Sequence, residues 1–115
     1  MSSQITLNLL QGSVRFNFSP ESARGLKSAL SELIKSLKAS ATKAGAGGVR
    51  TPEKSMEYQH TGEIFLEVFC NPNIWPSPFA AKVLITVRDD RMGLTTEAEL
   101  TRIIEDVSQY LEQSA

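Results

Sequence analysis

The sequence predicts an α+β fold: a four-stranded, mainly antiparallel sheet with two helices on one face, a two-layer sandwich in the order ββαββα. Three observations carry this. Residues Ile64–Cys70 and Ala81–Val87 alternate apolar and mixed side chains, the period of a half-buried strand. Ile5–Leu10 and Val14–Phe18 do the same nearer the N-terminus. An amphipathic stripe follows each pair, and burying strand faces against helix stripes gives two layers around one core.

In the first pair, Ile5, Leu7 and Leu9 alternate with Thr6, Asn8 and Leu10, and Val14, Phe16 and Phe18 with Arg15 and Asn17. Gln11-Gly12 between them supplies a turn, so the pair reads as a hairpin. Ser19-Pro20-Glu21 marks a helix start: Ser caps, Pro fits the first helical position and Glu complements the dipole. Ala23, Leu26, Ala29, Leu30, Leu33, Ile34 and Leu37 form its apolar stripe, and Arg24, Lys27, Lys35 and Lys38 lie off it. Residues 39–56 lose all periodicity and gather Ala, Gly, Ser, Thr and Lys, which predicts a basic, flexible loop. It lacks the Gly-Lys-Ser/Thr ending of a phosphate-binding loop.

Glu57–Thr61 reads as a lead into a second, central hairpin. Ile64, Leu66, Val68 and Cys70 share one face, opposite Phe65, Glu67 and Phe69; Ala81, Val83, Ile85 and Val87 face away from Lys82, Leu84, Thr86 and Arg88. Antiparallel pairing would let Glu67 approach Lys82, with the register left open. Arg88–Gly93 reads as a polar turn in which Arg88 and Arg91 offset Asp89 and Asp90. Thr96 and Glu99 match a capping box opening the last helix. Leu100, Ile103, Ile104, Val107, Tyr110 and Leu111 form its stripe, with Glu97, Glu99, Glu105, Asp106 and Glu112 on an acidic outer face.

Two features point toward function. The outer sheet face would carry Arg15, Asn17, Phe65, Glu67, Phe69, Lys82, Leu84 and Thr86; apolar residues on such a face mark a contact surface. The loop Asn71–Pro78 joins the central strands and exceeds the usual hairpin length of about two to five residues. Pro72, Pro76 and Pro78 stiffen it, and Ile74 and Trp75 stand between them with Phe79 just after. A stiff loop displaying Trp suits recognition, because preorganisation lowers the entropy cost of binding. The other reading of Trp75 is a cap folded back over the core. Ile74, Trp75, Phe79, Phe65, Phe69 and Leu84 are therefore the candidate partner-binding residues.

Composition narrows the classes. A chain of 115 residues fits one domain, and 41% hydrophobic with 22% charged residues is ordinary globular usage. The net charge of −1 gives no bulk attraction to nucleic acid, although residues 1–57 hold eight basic and four acidic residues and residues 58–115 hold four and nine. That asymmetry, +4 against −5, is a handle for charge-guided docking. The lone cysteine, Cys70, falls on an apolar strand face, which predicts a buried thiol in a reducing compartment. The N-terminus has no basic start followed by an apolar core, and no apolar run reaches transmembrane length. A cytoplasmic protein, able to sit peripherally on the cytoplasmic side of a membrane, is expected.

No nucleophile–base pair, nucleotide cradle or metal-ligand spacing is legible, and His60 has no partner at ligand spacing, so no enzyme activity, metal or cofactor is expected. The leading expectation is a non-catalytic accessory subunit that docks a protein partner through the outer sheet face and the Trp75 loop. The alternative is a single-stranded nucleic-acid binder that stacks bases on Phe65 and Phe69. The stretches Glu63–Phe79 and Thr95–Val107 resemble small accessory proteins of photosynthetic bacteria, and the size and element order are similar to the V subunit of the photosynthetic NDH complex. That resemblance implies a peripheral place on a membrane complex and no cofactor of the protein's own. It carries over no functional residue.

Overall fold

The computed structural model describes residues 4–45 and 53–114. Strands β1 (Gln4–Asn8) and β2 (Ser13–Asn17) form the first hairpin, with Ile5 opposite Phe16 and Leu7 opposite Val14. Its turn closes through the Leu9 amide donating to the Gly12 carbonyl, and Gly12 holds φ at 107°, the left-handed region that glycine adopts without strain. Helix α1 (Pro20–Gly45) starts where its cap places it: the Ser19 hydroxyl accepts from the Ser22 amide at 3.1 Å.

The remaining strands are β3 (Met56–Thr61), β4 (Phe65–Cys70), β5 (Lys82–Arg88) and β6 (Gly93–Glu99), followed by helix α2 (Leu100–Ser114). They form one antiparallel sheet in the order β3-β4-β5-β6. The fold is therefore α+β with a four-stranded antiparallel sheet, but the predicted order and sheet membership need correction. The order is ββαββββα, and β1 and β2 make a separate two-stranded sheet. The single-sheet sandwich fails because β3 and β6 supply both edges around the central hairpin. A backbone bond from the Leu10 amide to the Glu97 carbonyl ties the small hairpin to β6.

Each missed strand has a local reason. In β3, Met56, Tyr58 and His60 turn inward and Glu57, Gln59 and Thr61 outward, but the polar content hides the alternation. In β6, Thr96 and Glu99 imitate a capping box, yet Leu94, Thr96 and Ala98 alternate with Thr95, Glu97 and Glu99, and β-branched threonines favour strands. The last helix thus begins at Leu100, whose amide donates to the Ala81 carbonyl. Glu97 and Glu99 consequently belong to the sheet, not to a helix face. The expected loop over 39–56 is also shorter at both ends, because α1 continues to Gly45 through alanine-rich sequence and Met56 opens β3. Its middle, 46–52, lies outside the described residues.

One core joins these elements. Ile5, Leu7, Phe16 and Phe18 of the small hairpin and Leu26, Leu30, Leu33 and Leu37 of α1 meet Leu66, Val68, Val83 and Ile85 of the large sheet. Leu100, Ile103, Val107 and Tyr110 of α2 complete it. Asp106, expected on the outer face of α2, is instead buried among them. One of its carboxylate oxygens accepts from the Asn8 amide at 2.7 Å and the other from Asn8 Nδ2 at 2.9 Å. The Arg102 side chain reaches the same carboxylate at 3.6 Å. The Tyr110 hydroxyl donates to the Phe18 carbonyl, so two polar contacts pin α2 to the first hairpin. The Tyr58 hydroxyl likewise donates to the Ser22 carbonyl, tying β3 to α1.

Candidate functional site

The strand register sets out the outer face of the large sheet in rows. Glu57, Phe69, Leu84 and Glu97 stand side by side across the four strands. The next row is Gln59, Glu67, Thr86 and Thr95; beyond it come Thr61, Phe65, Arg88 and Gly93. Lys82 faces Glu99 at the other end. The open register is thereby settled: Glu67 lies opposite Thr86, and the suggested approach of Glu67 to Lys82 does not occur. Arg15 and Asn17 leave this face, because β2 is in the other sheet.

This face is turned to solvent. Glu57, Gln59, Thr61, Leu84, Arg88, Thr95, Glu97 and Glu99 are exposed, and Phe65, Phe69 and Glu67 are half-buried. Leu84 keeps 41% of its surface accessible. The Arg88 guanidinium sits 4.4 Å from the Phe65 ring centroid, a cation–π contact that covers one aromatic. Gln59 Nε2 donates to both Glu57 and Glu67 at 2.8 Å, bridging two carboxylates along the β3–β4 seam. Among the described residues, Phe69 and Leu84 have no such polar lid.

The connecting loop is built rather than slack. Asn71 caps a 3-10 turn over Pro72–Ile74, its side chain accepting from the Asn73 amide. Asn73 then binds Glu53 twice, accepting from its amide at 2.7 Å and donating to its carbonyl at 2.8 Å. Pro72 is buried. These anchors split the loop's apolar residues into two kinds. Ile74 and Phe79 project, with 66% and 83% of their surface exposed. Trp75 does not: it is half-buried, packs against the core, and its indole hydrogen-bonds the Cys70 thiol. The core-cap reading of Trp75 is therefore the one the geometry favours.

Of the six candidate residues, Ile74, Phe79 and Leu84 are exposed, Phe65 and Phe69 lie half-buried on the open face, and Trp75 turns inward. Sequence reasoning missed Glu57 and Glu97 as the flanks of the patch, because both lie in strands it did not assign. The alternations Met56-Tyr58-His60 and Leu94-Thr96-Ala98 were the signals that placed them.

The remaining polar groups have structural work. Cys70 is buried, and that burial pushes its thiol up to about 11, against the lowering effect of the Trp75 hydrogen bond. At pH 8 only about one thiol in a thousand would then be ionised, and the thiolate is the reactive form. The native protein should resist alkylation by iodoacetamide at pH 8 and react once unfolded in urea, as mass spectrometry would show; rapid labelling of the folded chain would contradict this burial. His60 stacks edge-on against Phe18 at 5.0 Å, with Gly62 close behind its ring, so it serves as packing. Asp89 accepts from the amides of Arg91 and Met92 at 2.8 Å each, and those bonds hold its carboxyl below the usual range. It closes the β5–β6 turn, as a surface-turn reading of the Asp pair expects.

An open groove of about 560 Å³ runs beside Pro20, Arg24, Lys27 and Ser28 of α1 and Leu111 of α2. None of the aromatic-face residues lines it, nor do His60 or Cys70. Among the described residues, no group of three or more His, Cys, Asp or Glu side chains is placed to hold a metal ion. No described helix is long and apolar enough to cross a membrane. Comparison of the chain with protein families, curated proteins and solved structures finds no match, so its functional reading rests on the open sheet face itself.

Proposed function

We propose that this protein is a non-catalytic docking module that binds a protein partner through the outer face of β3–β6 and the adjoining loop. The observation that carries the reading is the apolar surface left uncovered here: Leu84 exposed beside half-buried Phe69 on the face, and Ile74 and Phe79 exposed on the loop that joins their strands. A phenylalanine left 83% exposed on a loop anchored by Asn71, Pro72 and Asn73 gains its burial only when something covers it. Trp75, half-buried against the core, is left out of this contact set.

A photosynthetic membrane complex, the host to which the sequence resemblance points, is a specific proposal within this reading. Single-stranded nucleic acid is the weaker alternative. Glu57, Glu67, Glu97 and Glu99 share the face with only Lys82 and Arg88, a charge of −2 from four acids against two bases, which repels a phosphate backbone.

The test is co-purification of tagged protein from its native source after gentle solubilisation. A defined set of proteins should be retained by wild type and by Glu32→Ser, an exposed residue of α1, and lost with Leu84→Asp or Phe79→Ser. Retention by the Leu84 and Phe79 variants would remove the face from consideration. Recovery of nucleic acid sensitive to Leu84→Asp would instead favour the alternative.

A further inference from the structure

We infer that the occupant of this face is a basic amphipathic helix: an apolar stripe flanked on both sides by Lys or Arg, lying along β4 and β5. The inference rests on the docking reading and adds the chemistry of the partner. Its basis is the placement of charge around the patch. Phe69 and Leu84 occupy the two central strands, and Glu57 and Glu97 stand in the same row on the two edge strands. Glu67 and Glu99 add two more carboxylates on the same face, which with Lys82 opposite Glu99 and Arg88 over Phe65 leaves it at −2. None of these four is ion-paired with a described residue; Glu57 and Glu67 have only the Gln59 amide between them.

The dimensions fit a helix. Neighbouring strands lie about 4.8 Å apart, so the three gaps between Glu57 and Glu97 span roughly 14 Å. A helix with its side chains is about 10–12 Å across. Laid over Phe69 and Leu84, it would press its apolar stripe on the centre and bring its flanking residues above the two edge strands. Lysines or arginines there would meet Glu57 on one side and Glu97 on the other, while glutamates would meet like charge. A second copy of this protein docking face to face would oppose carboxylate to carboxylate, which disfavours a symmetric dimer through this surface.

The experiment uses the full chain and two labelled 18-residue helical peptides with the same leucine stripe, one flanked by lysines and the other by glutamates. Fluorescence anisotropy would measure each against wild type, Leu84→Asp, and the double variant Glu57→Lys/Glu97→Lys, with circular dichroism checking that each variant is folded. The lysine peptide should bind wild type at least about tenfold more tightly than the glutamate peptide, as expected for several exposed charge pairs of modest individual strength. The double variant should reverse that preference, higher salt should shrink it, and Leu84→Asp should abolish binding of both peptides. Equal binding of the two, or a preference untouched by the charge reversal, would overturn the basic-helix inference while loss on Leu84→Asp kept the docking face. Binding indifferent to Leu84→Asp would remove both. If neither peptide binds, the inference falls, and the co-purification test above decides the docking face separately.

Discussion

Replacing Asp106 with Ala should lower stability by about 3 kcal/mol, the largest single-residue polar effect expected in this fold. Asp106 is buried between Ile103 and Tyr110 on the core stripe of α2, and its two oxygens satisfy both the amide and the side chain of Asn8, 98 residues away. Bonds to a charged group contribute about 1.5–3 kcal/mol each, and removing the acceptor leaves part-buried donors unmet. The Arg102 contact adds little, since that side chain is half exposed and spans 3.6 Å. Urea denaturation should therefore show a large loss for Asp106→Ala and less than about 0.5 kcal/mol for Arg102→Ala. Asp106→Asn should fall between, because an amide oxygen still accepts from the Asn8 backbone. A loss in Asp106→Ala no larger than that of Arg102→Ala would mean that the β1–α2 contact carries no weight in the fold.

Replacing Trp75 with Ala should cost about 2 kcal/mol. The ring packs against the core and its indole bonds Cys70, so truncation removes apolar contact and a hydrogen bond together. Full burial would make the cost about 3–5 kcal/mol; Trp75 is only half-buried, which places it below that range. Trp75→Phe should retain most of the packing and lose under about 1 kcal/mol. In the same loop, Ile74→Ser and Phe79→Ser should change stability by less than about 0.5 kcal/mol, because both side chains are mostly in water already. Thermal unfolding of the four variants checks this division. An unchanged melting temperature for Trp75→Ala would return Trp75 to the exposed surface.

These two residues show where the sequence was legible and where it was not. The alternation of Leu66, Val68 and Cys70 against Phe65, Glu67 and Phe69 defined both faces of β4, and the stripes of both helices, apart from Ala29, lie in or against the core as read. Such patterns are local, so one chain suffices to see them. The sheet membership of β1 and β2 is not local: their alternation predicts strands but not which strands they pair with. Strands β3 and β6 were hidden by polar outer residues suited to edges, and Thr96 and Glu99 carried a convincing but misleading capping pattern.

Asp106 illustrates a different limit. It falls three residues after Ile103 and four before Tyr110, on the apolar stripe, and that position was the signal of burial. Its partner Asn8 lies at the far end of the chain, so only the tertiary structure explains how the carboxylate is satisfied. For the candidate site, Phe65, Phe69 and Leu84 were legible from strand parity alone. The direction of Trp75 depended on the Asn71 cap and the Asn73–Glu53 bonds, and the flanking glutamates depended on the edge strands.

The outer face of β3–β6, and not a helix surface, is proposed to meet the partner. This contact is tested most directly by site-specific photocrosslinking in the native source, with a benzophenone side chain in place of Leu84, of Phe79, or of the exposed Glu32 on α1. The account predicts that positions 84 and 79 crosslink to one and the same protein and that position 32 does not. Crosslinking to a defined protein from position 32, with none from 84 or 79, would contradict it.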